Sequence, residues 1–398
     1  MPQLKNNQLD SLIAGINKLP LESYARILND KYSTPDGDVI DMDLLEKWRM
    51  SQARRTDLEK LLITASKDED LQVPPPPPVN ICSDLQKIER LSDFINLLDS
   101  QDVSLDVINE CLGLESSDVE NIRNYVYNPS LKIWDDEDLP PVPQDSTDIF
   151  FIGTPHSGKT CVIAATLNNL AASGRKVITG DTSYRIGNQY QEHLIRCMRL
   201  HVMPARTADD MSNYMSLGVM HDINEPNQIH KWNFIEMSGE RLKNTYEGIQ
   251  PDINPGKWLN SKNRKVLNFV IDCDYDPGHI PDDSILNSAY LQLNDWEVFD
   301  RTDVINFLIV KIDVENTEEP KQYAKELVTT KYSALLNTIK LKQKGGIFSR
   351  KKFVINVIPI SIGDGFTLGG SYMKKSYDHY IDGFIDELTS STSYRKIN

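Results

Sequence analysis

The chain has 398 residues, more than one compact core of ordinary size holds, so we expect two or three domains. Its net charge of −15 argues against broad contact with nucleic acid or anionic membrane, since both need a basic surface. Five scattered cysteines without a CxxC pair argue against a disulfide framework and a structural zinc site. With no signal-peptide pattern and no apolar stretch of membrane-spanning length, a protein of the reducing cytoplasm is predicted.

The first third of the chain is predicted to be helical and to be divided by proline-rich segments. Apolar residues at helical spacing predict one helical module over 1–72 and a second over 80–130. The unbroken proline run from Pro74 to Pro78 predicts a polyproline linker over 73–79. Acidic and proline residues predict another linker over 131–147. We expect the helical modules to dock a protein partner.

From residue 148 onward, strand-like and helix-like segments alternate along the chain. This alternation predicts an α/β domain over 148–398, with a mostly parallel sheet flanked by helices. The apolar run Ile149–Ile152 precedes Gly153-Thr-Pro-His-Ser-Gly-Lys-Thr160, and the helix-like segment Cys161–Ser173 follows. Together these form the strand–GxxxxGK[ST]–helix pattern of a P-loop.

The P-loop predicts a site for a nucleoside triphosphate with Mg²⁺. Its glycines permit a tight turn in which successive N–H groups and the helix N-terminus attract phosphate. We expect Lys159 to reach the β- and γ-phosphates and the Thr160 hydroxyl to ligate Mg²⁺. The nucleotide-binding residues predicted on this loop are Gly153, His156, Ser157, Gly158, Lys159, Thr160 and Cys161.

Three later segments follow in the order found in Ras-like P-loop GTPases. Glu236-Met-Ser-Gly239 resembles the Asp-x-x-Gly motif of that family, and Val310-Lys-Ile-Asp313 resembles its Asn/Thr-Lys-x-Asp motif. Ser361-Ile-Gly363 stands at the place of its Ser-Ala-Lys loop. The resemblance covers 148–398 and rests on order and spacing, with only the P-loop intact. The enlarged segment after the P-loop helix also looks similar to double-GTPase-type domains of bacteria.

The resemblance implies GTP as the ligand and several roles on the metal side of the site. Glu236 would take the place of the family's aspartate in the Mg²⁺ shell, one methylene longer, and the amide of Gly239 would sense the γ-phosphate. A hairpin is predicted with strands near 214–222 and 229–237. By the resemblance, a threonine just before this hairpin would close on Mg²⁺. Thr207 is predicted for that role, with Thr182 as the alternative.

On the base side, the resemblance implies that Lys311 covers the face of the base. Asp313 would accept two hydrogen bonds from guanine, from N1–H and from the N2 amine. Adenine would leave that carboxylate unpaired. Ser361 and Ile362 would contact the base through backbone groups.

The catalytic residues implied are Glu240, Lys159 and Arg241. Glu240 stands where the family carries a water-orienting glutamine, and its charge lies beside an anionic γ-phosphate. We therefore predict slow or partner-dependent GTP hydrolysis, with Arg241 or Arg206 supplying compensating charge.

Two alternatives to a GTP-binding switch remain open from the sequence. The chain could be an ATP-dependent P-loop enzyme in which Asp272 or Asp274 serves as the Walker B carboxylate. It could also be a nucleotide-binding scaffold with degenerate catalysis, as the residues Glu236, Glu240 and Val310 suggest.

Overall fold

The protein is described by a computed structural model. It describes residues 81–101, 103–127, 142–177, 185–205, 212–237, 239, 258–273, 282–295, 298–315, 318–344 and 353–396. The predicted module over 1–72, the linker over 73–79 and most of the linker over 131–147 lie outside these residues. The chain divides into two compact units, Met1–Asp84 and Leu85–Asn398, and the described residues fall almost entirely in the second.

Helices α1 (Ile81–Gln86), α2 (Leu91–Gln101), α3 (Leu105–Leu112) and α4 (Ser116–Tyr127) precede the sheet. Their apolar stripe is buried, with Phe94 and Ile95 almost fully covered. Gly113 ends α3 in the left-handed region at φ +62°, a backbone conformation that glycine adopts without strain. The helices touch the later part of the chain, since the Tyr372 hydroxyl donates to Asp118 (2.8 Å) and Ser371 donates to the Glu89 carbonyl (2.8 Å).

The cysteines depart in part from the expectation of a reduced set. Cys82 and Cys111 are disulfide-bonded, whereas Cys161, Cys197 and Cys273 are not in disulfides. The spacing of the cysteines along the sequence could not predict a disulfide bond, because disulfide bonding depends on which segments meet in the fold.

The strands are β1 (Thr147–Ile152), β2 (Lys176–Val177), β3 (Ser212–Met220), β4 (Gln228–Met237), β5 (Arg264–Asp272), β6 (Thr302–Val310), β7 (Val354–Pro359), β8 (Gly363–Thr367), β9 (Tyr372–Ser376) and β10 (Arg395–Lys396). The main sheet has the order β2-β3-β4-β1-β5-β6-β7, and β10 pairs with β4. β4, β1, β5, β6 and β7 are mutually parallel, while β3 runs antiparallel to both of its neighbours, β2 and β4. β8 and β9 form a separate hairpin.

Helices cover both faces of the sheet: α5 (Lys159–Ala172), α6 (Arg185–Arg199), α7 (Asp282–Asp295), α8 (Pro320–Thr330), α9 (Ser333–Lys344) and α10 (Asp378–Ser391). Alternate residues of β1 point to opposite faces. Ile149 and Phe151 pack with α5, α6 and α10, whereas Phe150 and Ile152 pack with α7, α8 and α9. The predicted α/β architecture is confirmed. No helix within the described ranges is long and apolar enough to cross a membrane.

Three asparagines at matching register form a ladder across β5, β6 and β7. Asn356 donates to the Asn306 side-chain oxygen (3.0 Å), Asn306 to that of Asn268 (2.8 Å), and Asn268 to the Phe150 carbonyl of β1 (3.1 Å). Asn356 also donates to Glu387 of α10 (2.7 Å). Asn268 and Asn306 are fully buried, so these bonds satisfy amides that water does not reach.

At the opposite end of β1, a buried ion pair ties three segments together. Lys265 Nζ lies 3.6 Å from Asp148 Oδ2, and both side chains are fully buried. Asn233 and Asn263 also donate to Asp148, at 2.7 and 3.0 Å. Burial lowers the pKa of Lys265 from 10.5 to about 8, although the charge of Asp148 opposes the shift.

The lowered pKa of Lys265 predicts a pH dependence of stability. Between about 8 and 10.5 the unfolded chain keeps the Lys265 proton while the folded chain has lost it. The unfolded state thus binds more protons, and the Lys265 contribution to the free energy of unfolding rises with pH in that window. In urea unfolding curves, Lys265→Met should remove this rise and Lys176→Met should retain it. Identical pH slopes in wild type and Lys265→Met would contradict the assignment.

Candidate functional site

The predicted P-loop lies at the carboxyl edge of the parallel strands. β1 is buried along its whole length between β4 and β5, and its end at Ile152 delivers the chain into the loop. α5 begins at Lys159, and the N-cap residue before it, Gly158, has φ +83°. His156 is exposed and also has a positive φ, of +64°. These turns concentrate backbone N–H groups at the start of α5, which is the arrangement that binds phosphate.

The first glycine of the loop has no room for a side chain. A Cβ on Gly153 would lie 2.5 Å from the Ser157 hydroxyl and 2.5 Å from the Val270 carbonyl. The sequence therefore needs glycine here because the loop folds tightly against β5.

The side chain of Lys159 folds back so that its ammonium group lies inside the loop. Only 7% of the residue is exposed, and its ammonium donates to the carbonyls of Gly153 (2.8 Å) and Thr154 (2.8 Å) and to the Ser157 hydroxyl (3.4 Å). A positive charge is thus held at the point where a phosphate chain would meet the backbone N–H groups.

Glu236, near the end of β4, faces the start of α5. The Thr160 hydroxyl donates to Glu236 Oε1. The other oxygen, Oε2, accepts from Asn213 Nδ2 (2.9 Å) and from the Tyr190 hydroxyl (3.3 Å). Glu236 is fully buried, so these three donors offset the loss of water around its carboxylate. A hydroxyl and a carboxylate meet at the place where the sequence predicted the metal.

Gly239 lies directly against the P-loop backbone. A Cβ on Gly239 would lie 2.3 Å from the Pro155 nitrogen and 2.5 Å from the Thr154 carbonyl carbon. The predicted Glu-x-x-Gly element therefore touches the loop at both of its defining positions, through Glu236 and through Gly239.

Gly239→Ala is expected to weaken nucleotide binding roughly ten- to hundredfold, because relieving a backbone overlap costs about 1–3 kcal/mol. Fluorescence polarisation with a labelled nucleotide measures the change. Gly383→Ala is the matched control, since a Cβ at Gly383 of α10 meets nothing within 4 Å. Unchanged affinity in Gly239→Ala would show that this segment does not bear on the loop.

The predicted base-side residues follow β6. Lys311 has φ +59°, and its ammonium forms an ion pair with Asp272 at the end of β5. The thiol of Cys273 donates to the Lys311 carbonyl (3.1 Å), so two contacts fix the lysine to β5. The preceding Val310 is 4% exposed, and its methyl would lie 3.6 Å from a Cβ on Gly158. The Lys311 segment is therefore next to the phosphate loop.

Charged residues on the predicted metal side and base side shift the pKa values of two neighbouring side chains, Cys161 and Tyr380. Burial and the charge of Glu236 raise the pKa of the Cys161 thiol to about 11, although the charge of Lys311 opposes the shift. Cys161 is thus an unreactive thiol between the predicted metal side and base side. Burial, with the negative charge of Asp313, raises the pKa of Tyr380 at the start of α10.

The loop predicted to contact the base follows β7. Ser361 is buried, and its hydroxyl donates to the Gly363 carbonyl (3.4 Å). The Ile362 carbonyl accepts from the N–H of Tyr377 (2.9 Å), at the end of the β8–β9 hairpin. Because β7 runs parallel to β1 through β5 and β6, Ser361 and Ile362 lie at the same edge of the sheet as the P-loop.

Several predicted site residues lie outside the described residues: Glu240, Arg241, Thr207, and the alternatives Thr182, Arg206 and Asp274. Reasoning from the sequence missed Asn213 and Tyr190 as partners of Glu236. Asn213 could have been found from the hairpin register, in which it stands opposite Glu236. Tyr190 reaches the site from an inserted helix, and no sequence pattern signals that contact.

Comparison with known proteins finds no family model and no curated protein that matches the chain. Among solved structures, it is similar to the signal recognition particle receptor SRb-GTP/SRX complex from Chaetomium thermophilum (15% identity, TM-score 0.35, 62% of this chain and 100% of that chain). A putative nucleolar GTP-binding protein 1 from Plasmodium falciparum is similar at 15% identity and TM-score 0.29, over 63% and 90%. A third is an ADP-ribosylation-factor-like GTP-binding protein from Encephalitozoon cuniculi in complex with GDP (12% identity, TM-score 0.24, 74% and 95%).

Proposed function

We propose that the chain is a GTP-binding molecular switch that uses Mg²⁺ and hydrolyses GTP slowly or with the help of a partner. The observation that carries this proposal is the hydrogen bond from Thr160 to Glu236 beside the buried ammonium of Lys159. It joins the first and second predicted phosphate motifs in one place, as a nucleotide with a metal requires.

The residues at this place fit a magnesium ion. Mg²⁺ prefers hard oxygen ligands, keeps several waters, and takes only one or two protein groups beside phosphate oxygens. The Thr160 hydroxyl would hold the ion, and Glu236 would orient that hydroxyl and the waters of the ion. When bound, the ion would neutralise phosphate charge. The described residues contain no group of three or more His, Cys, Asp and Glu side chains that could hold a metal.

In the proposed mechanism, the loop binds and orients the triphosphate. Lys159 exchanges its contacts with the Gly153 and Thr154 carbonyls for charge-assisted hydrogen bonds to phosphate oxygens, which are stronger. The N–H groups at the start of α5 add donors without a charge that must be desolvated.

Guanine selection is proposed for Asp313, with Lys311 covering the base and Ser361 and Ile362 contacting it through the backbone. Two hydrogen bonds from guanine to one carboxylate give a discrimination that adenine cannot match. The ion pair of Lys311 with Asp272 keeps the lysine beside the strand end that precedes Asp313.

Slow hydrolysis is proposed because Glu240 stands where a water-orienting glutamine would stand, with Arg241 or a partner supplying compensating charge. A threonine, Thr207 by our prediction, would complete the metal site.

We also propose that the helical modules over 1–72 and 80–130 dock a protein partner. We further propose that the α/β domain over 148–398 is of the bacterial double-GTPase type and that the protein is cytoplasmic.

The second candidate, an ATP-dependent enzyme with Asp272 as its Walker B carboxylate, makes a different prediction for Asp272→Asn. In the GTP-switch proposal this substitution breaks the ion pair with the half-exposed Lys311 and touches no metal ligand. Such a pair contributes about 1 kcal/mol or less, so GTP affinity should fall at most about fivefold, with its Mg²⁺ dependence unchanged. In an ATP enzyme of the second kind, the Mg²⁺ dependence itself should be lost.

Differential scanning fluorimetry with GTP, ATP and XTP, each with Mg²⁺ or with EDTA, separates these candidates. Asp303→Asn is the matched control, because Asp303 is also ion-paired, to Arg264, at the opposite end of the sheet. A preference for ATP in wild type, with its Mg²⁺ dependence lost in Asp272→Asn, would favour the enzyme. No stabilisation of wild type by any nucleotide would contradict both candidates and nucleotide binding by the P-loop itself.

A further inference from the structure

Helix α6 lies in the segment inserted between the P-loop helix and β3, and Tyr190 on this helix reaches the proposed metal site. We propose that Tyr190 and Asn213 are positioning residues that orient the Glu236 carboxylate for Mg²⁺, which makes the inserted helix part of the metal site. This inference rests on the proposed nucleotide and Mg²⁺ binding of the P-loop.

The hydrogen bonds assign a separate task to each carboxylate oxygen. Glu236 Oε1 accepts from Thr160, the predicted metal ligand. Oε2 accepts from Asn213 (2.9 Å) and Tyr190 (3.3 Å), and Asn213 also donates to the Tyr190 hydroxyl oxygen (3.0 Å). The Tyr190 hydroxyl thus donates a hydrogen bond to Glu236 and accepts one from Asn213. Each of the three side chains is hydrogen-bonded to the other two.

This set accounts for a glutamate where the resembling family has aspartate. An aspartate would be shorter by one C–C bond, roughly 1.5 Å, and could not keep its contacts on both sides. The longer Glu236 spans from Thr160 on α5 to the donors on β3 and α6. Because Glu236 is fully buried, donors at its far oxygen are needed to hold it as an oriented carboxylate.

Helix α6, which carries Tyr190, is packed firmly against the rest of the domain. Leu194, Ile195 and Met198 of α6 are buried in the same apolar cluster as α5. Gln191, next to Tyr190, donates to the Ser216 carbonyl of β3 (3.0 Å). Since α6 is fixed to both α5 and β3, the Tyr190 hydroxyl has a defined place relative to Glu236.

The test is the Mg²⁺ concentration that gives half-maximal tight binding of a fluorescent GTP analogue, compared with the affinity for the analogue in EDTA. In Tyr190→Phe and in Asn213→Ala, we expect the Mg²⁺ midpoint to rise roughly tenfold or more, as for other groups that orient metal ligands. The affinity in EDTA should stay within about twofold of wild type, because the phosphate loop itself is unchanged. Glu192→Gln is the matched control on α6, because it breaks the ion pair between the exposed Glu192 and Lys176, away from Glu236.

A double-mutant cycle distinguishes positioning from general support of the fold. In a Glu236→Gln background, Tyr190→Phe should change the Mg²⁺ midpoint no further, because the carboxylate that it orients is gone. Equal midpoints in wild type and both single variants would overturn the inference while leaving nucleotide binding intact. An equal loss of affinity with Mg²⁺ and with EDTA would also overturn it, since that result indicates a structural role. If wild type binds no GTP analogue, the proposed function itself is wrong.

Discussion

Lys159→Ala is expected to lower the affinity of the chain for GTP by about 100-fold or more. The side chain is the buried positive charge at the centre of the loop, with its ammonium 2.8 Å from two loop carbonyls. In the proposed complex it forms charge-assisted hydrogen bonds to phosphate. Two such bonds at about 1.5–3 kcal/mol each correspond to roughly 100-fold or more in affinity.

Fluorescence polarisation with a labelled GTP analogue, or calorimetry, measures this loss. Lys176→Ala is the control, because Lys176 is a largely covered lysine of β2 whose partner, Glu192, lies outside the loop. Thermal melting shows whether each variant is folded. Folded Lys159→Ala with wild-type affinity for GTP would refute a phosphate role for this lysine.

Asp313→Asn is expected to abolish the preference for GTP and to create a preference for XTP. The carboxylate accepts two hydrogen bonds from guanine, whereas an asparagine places an NH₂ donor against the N2 amine of guanine and leaves both groups unsatisfied. Xanthine carries an oxygen at that position, which the new NH₂ group can donate to. A site built to hydrogen-bond one base can reject a base that lacks the matching groups by about 10⁴-fold. We therefore expect the ratio of GTP to XTP affinity to change by at least about 100-fold.

Competition of unlabelled GTP, XTP and ATP against a labelled analogue measures the switch. Asp303→Asn again serves as the control, since its ion pair with Arg264 is at the far end of β6. If Asp313→Asn retains the nucleotide preference of wild type, Lys311 and Asp313 are an incidental strand end and guanine selection lies elsewhere.

The apolar spacing and glycine positions within short stretches of sequence predicted several strands and helices around the site correctly. The strand before Gly153, the helix after Lys159, and the hairpin of β3 and β4 all follow from apolar spacing and glycine positions. The strand β7 ends at Pro359, and the chain then turns into the β8–β9 hairpin.

The parts that were not predicted depend on contacts between distant segments. Tyr190 lies 46 residues from Glu236, and Lys311 lies 39 residues from Asp272. In each case the sequence shows a polar residue on a helix or after a strand, which is common. Only the order of strands in the sheet and the placement of α6 bring these partners together.

The asparagine ladder has a consequence for how the sheet assembles. Asn268, Asn306 and Asn356 meet at only one alignment of β5, β6 and β7. A slip of one residue in any strand would turn its asparagine to the opposite face. That slip would break the hydrogen bonds of the amide and bury unpaired polar groups, at about 1–3 kcal/mol for each. The asparagines therefore favour the native alignment of β5, β6 and β7, which fixes where the carboxyl ends of these strands lie relative to the P-loop.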